Sequence, residues 1–138
     1  MKRAVVLAGP ALQAEAALGA LAAAGFDAVA AGSAADVRAH AEIGAAVVVL
    51  GAVGQGLDTA QAAALVSMPA VLRRSCVVVL VGQGFTTGDG FRAFALGVDL
   101  VVGTPDVARL GELASAAVVA KRALVAPLDP PAAARLGG

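Results

Sequence analysis

The sequence predicts a single α/β domain, in which a five-stranded parallel sheet carries helices on both faces as a three-layer sandwich. Short runs of β-branched residues alternate five times with alanine-rich stretches of helical spacing, the pattern of parallel strands joined by helical crossovers. The run at residues 45–50 is apolar at every position, as a central parallel strand covered on both faces must be. At 138 residues the chain has the length of one domain.

The first strand is predicted at residues 4–8 and the first helix at about residues 11–24. Pro10 suits the start of this helix, because the fixed backbone angle of proline fits a first helical turn. Apolar residues recur along the helix at helical spacing. Gly25 follows it as a left-handed cap.

The second strand is predicted at residues 27–31. The second helix begins at Ser33 or Asp36, both of which are residue types that cap helices, and it stops near Gly44. The third strand follows at residues 45–50.

A glycine-rich loop at residues 51–57 leads to a helix that Asp58 or Thr59 would cap. We expect this helix to break near Pro69, because proline disfavours helical backbone in the residue before it. The fourth strand is predicted at residues 76–81.

A second open loop, residues 82–88, precedes a short helix at about residues 89–96 that ends at Gly97. The fifth strand is predicted at residues 100–102, and the last helix at about residues 106–123.

Two regions follow from this reading. Residues 1–125 form the predicted domain, and residues 126–138, rich in proline, alanine and glycine, are predicted to be a tail or linker.

Composition and charge exclude several functions. Lysine plus arginine and aspartate plus glutamate each number 10, so the chain carries no net charge that would attract nucleic acid. The apolar runs are far shorter than the roughly 20 residues of a membrane-spanning helix, so we expect no membrane insertion. The single cysteine, Cys76, opens an apolar strand and is expected to be a buried core residue. We expect a cytoplasmic protein.

The segment from Ala93 to Asp99, Ala-Phe-Ala-Leu-Gly-Val-Asp, resembles a helix ending of the receiver domains of two-component signalling. Thr104-Pro105 then falls where that family has lysine-proline after its fifth strand. The resemblance extends over nearly the whole chain by pattern and spacing. It implies the flavodoxin-type strand order 2-1-3-4-5 and a cis peptide bond between Thr104 and Pro105.

The resemblance also shows which functional residues of the family are absent. The acidic pair of the family falls on Ala8 and Gly9, and the phosphoacceptor falls on Gly51, or on Leu50 if the register shifts by one residue. The hydroxyl residue of the fourth strand, the aromatic switch and the lysine fall on Val81, Val101 and Thr104. Mg²⁺ takes oxygen ligands, usually carboxylates, and phosphoryl transfer relies on it. We therefore expect no metal site, no cofactor and no catalysis.

Two loops at the expected ligand edge of the sheet repeat a tetrapeptide, Val-Gly-Gln-Gly. Neither loop matches a complete nucleotide-binding pattern, so ordinary tight turns explain the glycines equally well. The alternative hypothesis is a pocket for a nucleotide or another small ligand. Its predicted lining is Gly54, Gly56, Gly82, Gly84, Thr86 and Thr87.

The resemblance to receivers implies a protein-binding or dimer face formed by the short helix at 89–96, the fifth strand and the last helix at 106–123. Phe91 and Phe94 are three residues apart and share a side of that helix. We expect one of them to pack beneath the helix. The other is a candidate for an exposed patch with Phe85, although core packing is the favoured alternative for each single phenylalanine. Arg92 and Arg109 are predicted to lie near this face, where arginine can hold a partner carboxylate.

These observations favour a pseudo-receiver: a phosphorylation-independent interaction domain in bacterial signalling, scaffolding or localisation. The expected partner is a protein, and a second copy of the chain is one candidate. A small-ligand sensor is the alternative, and no catalytic set of residues can be assembled from the sequence.

Overall fold

The computed structural model describes residues 1–137 and contains one parallel five-stranded sheet in the order β2-β1-β3-β4-β5. The strands are β1 (Arg3–Leu7), β2 (Asp27–Ala30), β3 (Val47–Gly51), β4 (Val77–Gly82) and β5 (Leu100–Gly103). The helices are α1 (Ala14–Ala23), α2 (Ala34–Glu42), α3 (Thr59–Val66), α4 (Ala70–Arg74), α5 (Gly90–Leu96), α6 (Leu110–Val125) and α7 (Pro130–Gly137). The predicted fold class and flavodoxin-type strand order are confirmed.

The two faces of the sheet carry separate cores. Helices α1 and α6 cover one face, where Leu21 and Leu110 pack against Val49. Helices α2, α3, α4 and α5 cover the other face, where Leu72 packs in the same core as Val48. Because successive side chains of a strand point to opposite faces, the unbroken valine run of β3 supplies both cores. No helix within residues 1–137 is both long and apolar enough to cross a membrane.

Most predicted helix ends are confirmed. Ser33 accepts the amide of Asp36 at the start of α2, and Asp58 accepts the amide of Gln61 at the start of α3. Gly97 ends α5 with a φ of +73°, a left-handed conformation that glycine adopts without steric cost.

The segments around Pro69 and Pro105 can be compared directly with their predictions. As expected, the helical region breaks at Pro69, which stands between α3 and α4. Residues Thr104–Arg109 form a 3-10 turn before α6, so the last helix starts later than predicted. The peptide bond between Thr104 and Pro105 is trans, and the expectation of a cis bond is wrong.

The prediction that the C-terminal segment is a linker is also wrong, because most of it forms α7. Asp129 accepts the amide of Ala132 and its carbonyl accepts that of Ala133, which begins the helix. Leu136, one turn further on, is completely buried with Ala132 and Ala133 close to it in the interior. An ion pair of 2.8 Å between Arg74 Nε and Asp129 Oδ2 joins this helix to α4. Residue 138 lies outside the described residues.

Candidate functional site

The carboxyl ends of β1, β3, β4 and β5 form the edge at which open parallel sheets bind ligands. Glycines stand at all four strand ends: Gly9 two residues after β1, and Gly51, Gly82 and Gly103 as the last residues of β3, β4 and β5. This row of glycines is the predicted site, and its geometry decides whether a ligand has room there.

The backbones of Gly9 and Gly51 lie directly against each other. A Cβ atom on Gly9 would stand 2.5 Å from the carbonyl oxygen of Gly51, and a Cβ on Gly51 would stand 2.7 Å from the Gly9 nitrogen. Neither position has room for a side chain. The two positions where the receiver family needs carboxylates are therefore brought together, as the resemblance implies, but they are in backbone contact.

The buried side chain of Gln61 also contacts the Gly51 backbone. Its side chain is only 1% exposed, and its Nε2 donates a 2.6 Å hydrogen bond to the Gly51 carbonyl oxygen. Its Oε1 accepts the amide of Asp58, in exchange for the Asp58 cap on its own amide. The inner polar groups of this edge are thus satisfied within the protein, as buried polar groups must be.

The remaining positions of the absent phosphorylation set supply no polar group to an open site. Val81 pairs with Gly51 in the sheet but its side chain is buried in the core beneath α1 and α6. Val101 pairs with Leu80 and is buried in the opposite core. Thr104 begins the 3-10 turn after β5. Ala8 is exposed at the end of β1.

Phe85 covers the end of β4 and corrects the predicted partner surface. It is 8% exposed, and its ring would lie 2.7 Å from a Cβ placed on Gly82. The Phe85 carbonyl oxygen approaches Gly103 as closely, at 2.5 Å from the Cβ position. The Arg92 guanidinium lies 5.7 Å from the centre of the Phe85 ring, which is within cation–π range. Phe85 therefore packs in the core and is absent from any exposed patch.

Closed turns account for the glycine loops. The Val53 amide donates to the Gly56 carbonyl and the Gly56 amide donates back, with Gly54 at a φ of +61° between them. Gly84, at a φ of +76°, has the side-chain amide of Gln55 above it. Both φ values favour glycine.

The predicted threonines are also accounted for. The Thr87 hydroxyl donates to Asp106 Oδ2 at 2.6 Å and accepts the Gly103 amide at 2.9 Å, so it joins the loop to β5. Thr86 is exposed, and its carbonyl accepts the Asp89 amide. Five surface cavities lie elsewhere on residues 1–137, and none is lined by any of the six predicted ligand residues.

Phe91 and Phe94 are both exposed, at 82% and 85%, so the expectation that one packs beneath the helix is wrong. Ala93 takes the inward position of α5 instead. At about 100° per residue, the two rings lie close together on the side of α5 opposite Leu96. Leu96 lines one cavity together with residues of α3, so the rings stand on the side of α5 that faces away from α3.

Arg109 does not lie beside these rings. It is exposed on the opposite face of the sheet, where its Nε contacts Glu112 Oε1 at 2.7 Å. It lines a shallow cavity with Ala20 and Ala24 of α1. The structure therefore separates the five predicted partner residues, and only Phe91 and Phe94 form an exposed aromatic pair.

The titratable side chains of Asp58, Asp89 and Cys76 have structural roles. Within residues 1–137 no three histidine, cysteine or acidic side chains are grouped so that they could hold a metal ion. Asp58 is a helix cap, as predicted, and Asp89 caps α5 in the same way. Burial raises the pKa of the Cys76 thiol, although nearby Lys121 and Arg73 act in the opposite direction. This thiol is therefore held in its neutral form, which is a poor nucleophile.

Gln61 is the residue that sequence reasoning missed, although a signal for it exists. Asp58 and Gln61 have the spacing of a capping box, in which the third helical residue bonds back to the cap. That spacing marks the start of α3, but it does not show that the same amide reaches Gly51 across the edge of the sheet.

The arrangement offers a rigid, internally bonded sheet edge and an aromatic pair on α5 that is open to solvent. Comparison of the chain with protein-family models, curated proteins and solved structures gives no match.

Proposed function

We propose that this chain is a non-catalytic, receiver-like interaction domain that binds a protein partner without phosphorylation. Its setting would be bacterial signalling, scaffolding or localisation in the cytoplasm. The binding surface would be the Phe91/Phe94 face, defined as these two exposed side chains on α5.

The observation that carries the proposal is the exposure of two adjacent phenylalanines. The chain has four phenylalanines, of which two are buried in the core and two, Phe91 and Phe94, are exposed. A buried aromatic side chain removes about 150–250 Å² from water, so leaving two exposed forgoes a large stabilisation. Single exposed apolar residues are ordinary, but an aromatic pair on one side of a helix is typical of interface centres.

A partner would contact α5 rather than the edge of β5. β5 ends the sheet, but the preceding loop already bonds it, with the Gly88 amide on the Val101 carbonyl and the Thr87 hydroxyl on the Gly103 amide. The chain has no net charge, which disfavours long-range repulsion between it and most partners.

The closed carboxyl edge supports the phosphorylation-independent part of the proposal. Gly9 and Gly51 leave no room for side chains, and the Gln61 side chain donates a hydrogen bond to the Gly51 carbonyl oxygen. The trans bond before Pro105 departs from the receiver pattern, so the proposal depends on the topology and the closed edge. None of the five cavities is lined by the glycines and threonines predicted for the small-ligand alternative, so these cavities do not support a pocket formed by those residues.

The test compares the double variant Phe91→Asp/Phe94→Asp with the wild-type chain and with Val119→Asp. Val119 is also an exposed apolar residue but lies on α6, so it controls for adding a charge to an exposed apolar site. Quantitative affinity capture should enrich a defined partner on wild type and Val119→Asp, and the double variant should lose it with unchanged circular dichroism. Equal capture by all three proteins would exclude the Phe91/Phe94 face.

A second arm tests the absence of phosphoryl transfer. Incubation with acetyl phosphate and Mg²⁺ should leave the intact mass unchanged. The gain of one phosphoryl group on an acidic residue would refute the non-catalytic proposal, whatever the capture experiment shows.

A further inference from the structure

A groove between α3 and α5 is distinct from both the glycine edge and the Phe91/Phe94 face. It encloses about 330 Å³, near the lower end of the volumes of small-molecule pockets. Aliphatic side chains form most of its walls, and polar groups lie at one end. The groove lining includes Leu57, Ala62, Leu65, Val66, Leu96 and, at the polar end, Arg73.

Arg73 has hydrogen-bonding capacity that the protein does not use. Its Nη2 donates to the Gly97 carbonyl oxygen at 2.9 Å, whereas its Nε is buried without a hydrogen-bond partner. A guanidinium carries five donor protons, and a planar carboxylate matches two of them at once. Because that Nε is closed to solvent, an acceptor in the groove would bond the outer guanidinium nitrogens, and the Arg73 side chain is 26% exposed.

The charges around Arg73 favour an anion. Lys121 Nζ lies 3.0 Å from both carboxylate oxygens of Asp99, whereas Arg73 Nη2 stands 3.9 Å from the nearer one. Asp99 also accepts the Val78 amide. One carboxylate thus stands between two cations, and Lys121 is its closer partner. The cluster keeps one excess positive charge beside the groove, and no acidic side chain lines the groove itself.

The residues that line the groove indicate which kind of molecule the anionic group belongs to. A peptide in extended conformation would bring amides and carbonyls that need hydrogen-bond partners. Apart from Arg73, the side chains that line the groove are aliphatic and offer the backbone of a peptide no hydrogen-bond partner. A hydrocarbon chain needs no such partners, and its burial against leucine and alanine is favourable.

We propose that this groove binds an aliphatic carboxylate, with the head group on Arg73 and the chain lying along α3 toward Leu57. The eight residues of α3 are about 12 Å long, which suits a chain of medium length. The proposal is independent of the protein-binding function described above.

The test is an amide and arginine-Nε NMR titration with octanoate, below the concentration at which it forms micelles. Saturable shifts should centre on Leu57, Leu65, Leu96 and the Arg73 side chain, and butanoate should bind more weakly because less hydrocarbon is buried. Arg73→Gln should weaken octanoate binding about tenfold, the loss expected for one charge-assisted contact. The matched control is Arg109→Gln, which removes the same charge from the opposite face and should bind octanoate like wild type.

Ala62→Phe gives a second test that leaves the guanidinium in place. It fills the groove from the α3 wall and should abolish the saturable shifts while the spectrum stays that of a folded protein. Non-saturable shifts, equal weakening by Arg73→Gln and Arg109→Gln, or octanol binding as tightly as octanoate would each overturn the proposal. Undiminished binding by Ala62→Phe would do so as well.

Discussion

The carbonyl of Gly51 points into the backbone of Gly9 so closely that neither residue can carry a side chain. A Cβ on Gly9 would stand 2.5 Å from that carbonyl oxygen, a distance at which backbone would have to move. Interior atoms are packed at the density of organic crystals, so nearby backbone has little freedom to move aside. The contact therefore explains why both residues are glycine without any appeal to conformational freedom, since neither has a positive φ.

This contact predicts that Gly51→Ala destabilises the protein. The added Cβ would stand 2.7 Å from the Gly9 nitrogen and 3.0 Å from Leu12 Cβ, so the β1 and β3 ends must separate. Overpacking of this kind costs about 1–3 kcal/mol. Urea denaturation should show the lower free energy of unfolding, and Gly51→Asp should be at least as unstable and should not gain phosphorylation.

Gly19→Ala is the matched control for that substitution. Gly19 lies inside α1, is exposed, and has no heavy atom within 4 Å of an added Cβ. Replacing an exposed helical glycine by alanine stabilises by about 0.5–1 kcal/mol. The two glycine-to-alanine changes should thus have opposite signs, and a destabilising Gly19→Ala or a neutral Gly51→Ala would contradict the geometry.

The Gln61 amide makes a second prediction. Gln61→Leu keeps the side-chain volume but leaves the Gly51 carbonyl without its side-chain donor and the Asp58 amide without its acceptor. Leaving buried groups unpaired should lower the free energy of unfolding by about 1–3 kcal/mol. Gln83→Leu, at an exposed loop position, should change it by no more than about 0.5 kcal/mol. Equal effects of the two substitutions in urea denaturation would show that the Gln61 bonds contribute nothing.

Leu136 makes a third prediction, that α7 belongs to the folded domain. Its side chain is completely buried in the core formed with α1 and α6, so Leu136→Ala should cost about 2–5 kcal/mol. Leu128→Ala removes the same atoms from a side chain that is 86% exposed and should be nearly neutral. Thermal and urea denaturation measure both. A neutral Leu136→Ala would mean that α7 packs only loosely on the domain.

The fold was predictable because its signals are local and repeated. The all-apolar run that became β3 predicts a central strand, and Ser33, Asp58 and Gly97 mark helix ends at the positions where the structure has them. Strand order and helix boundaries follow from such patterns.

The details of the site were less predictable because they depend on contacts between distant residues. Phe85 and Phe91 look alike in sequence, yet one covers Gly82 and the other is exposed, a difference set by the loop that places Phe85 over β4. The α7 error has another cause. Asp129-Pro130 is a favourable helix start, but the high proline, alanine and glycine content of the segment indicates a linker instead. The burial of Leu136, which stabilises α7, depends on helices far away in sequence.

The ion pair between Arg74 and Asp129 predicts a pH-dependent attachment of α7. The Arg74 hydrogen bond, followed by the Ala132 amide, lowers the pKa of Asp129 below its ordinary value. A carboxyl group whose pKa is depressed in the folded state adds stability above its unfolded-state pKa. That contribution is lost as the pH falls through the lower, folded-state value.

Asp129→Asn keeps an oxygen for the Ala132 amide but places an NH2 group opposite the Arg74 Nε, so it removes the hydrogen bond to Arg74 together with the charge. Compared with this variant, wild type should be more stable at pH 6, and the difference should decrease as the pH falls through the folded-state pKa of Asp129. Arg74→Gln should remove the same difference, and the double variant should add little to either single change, because both act through one contact. Urea midpoints across this range measure the effect. A wild-type advantage that persists undiminished at the lowest pH would contradict the assignment to the Asp129 carboxylate.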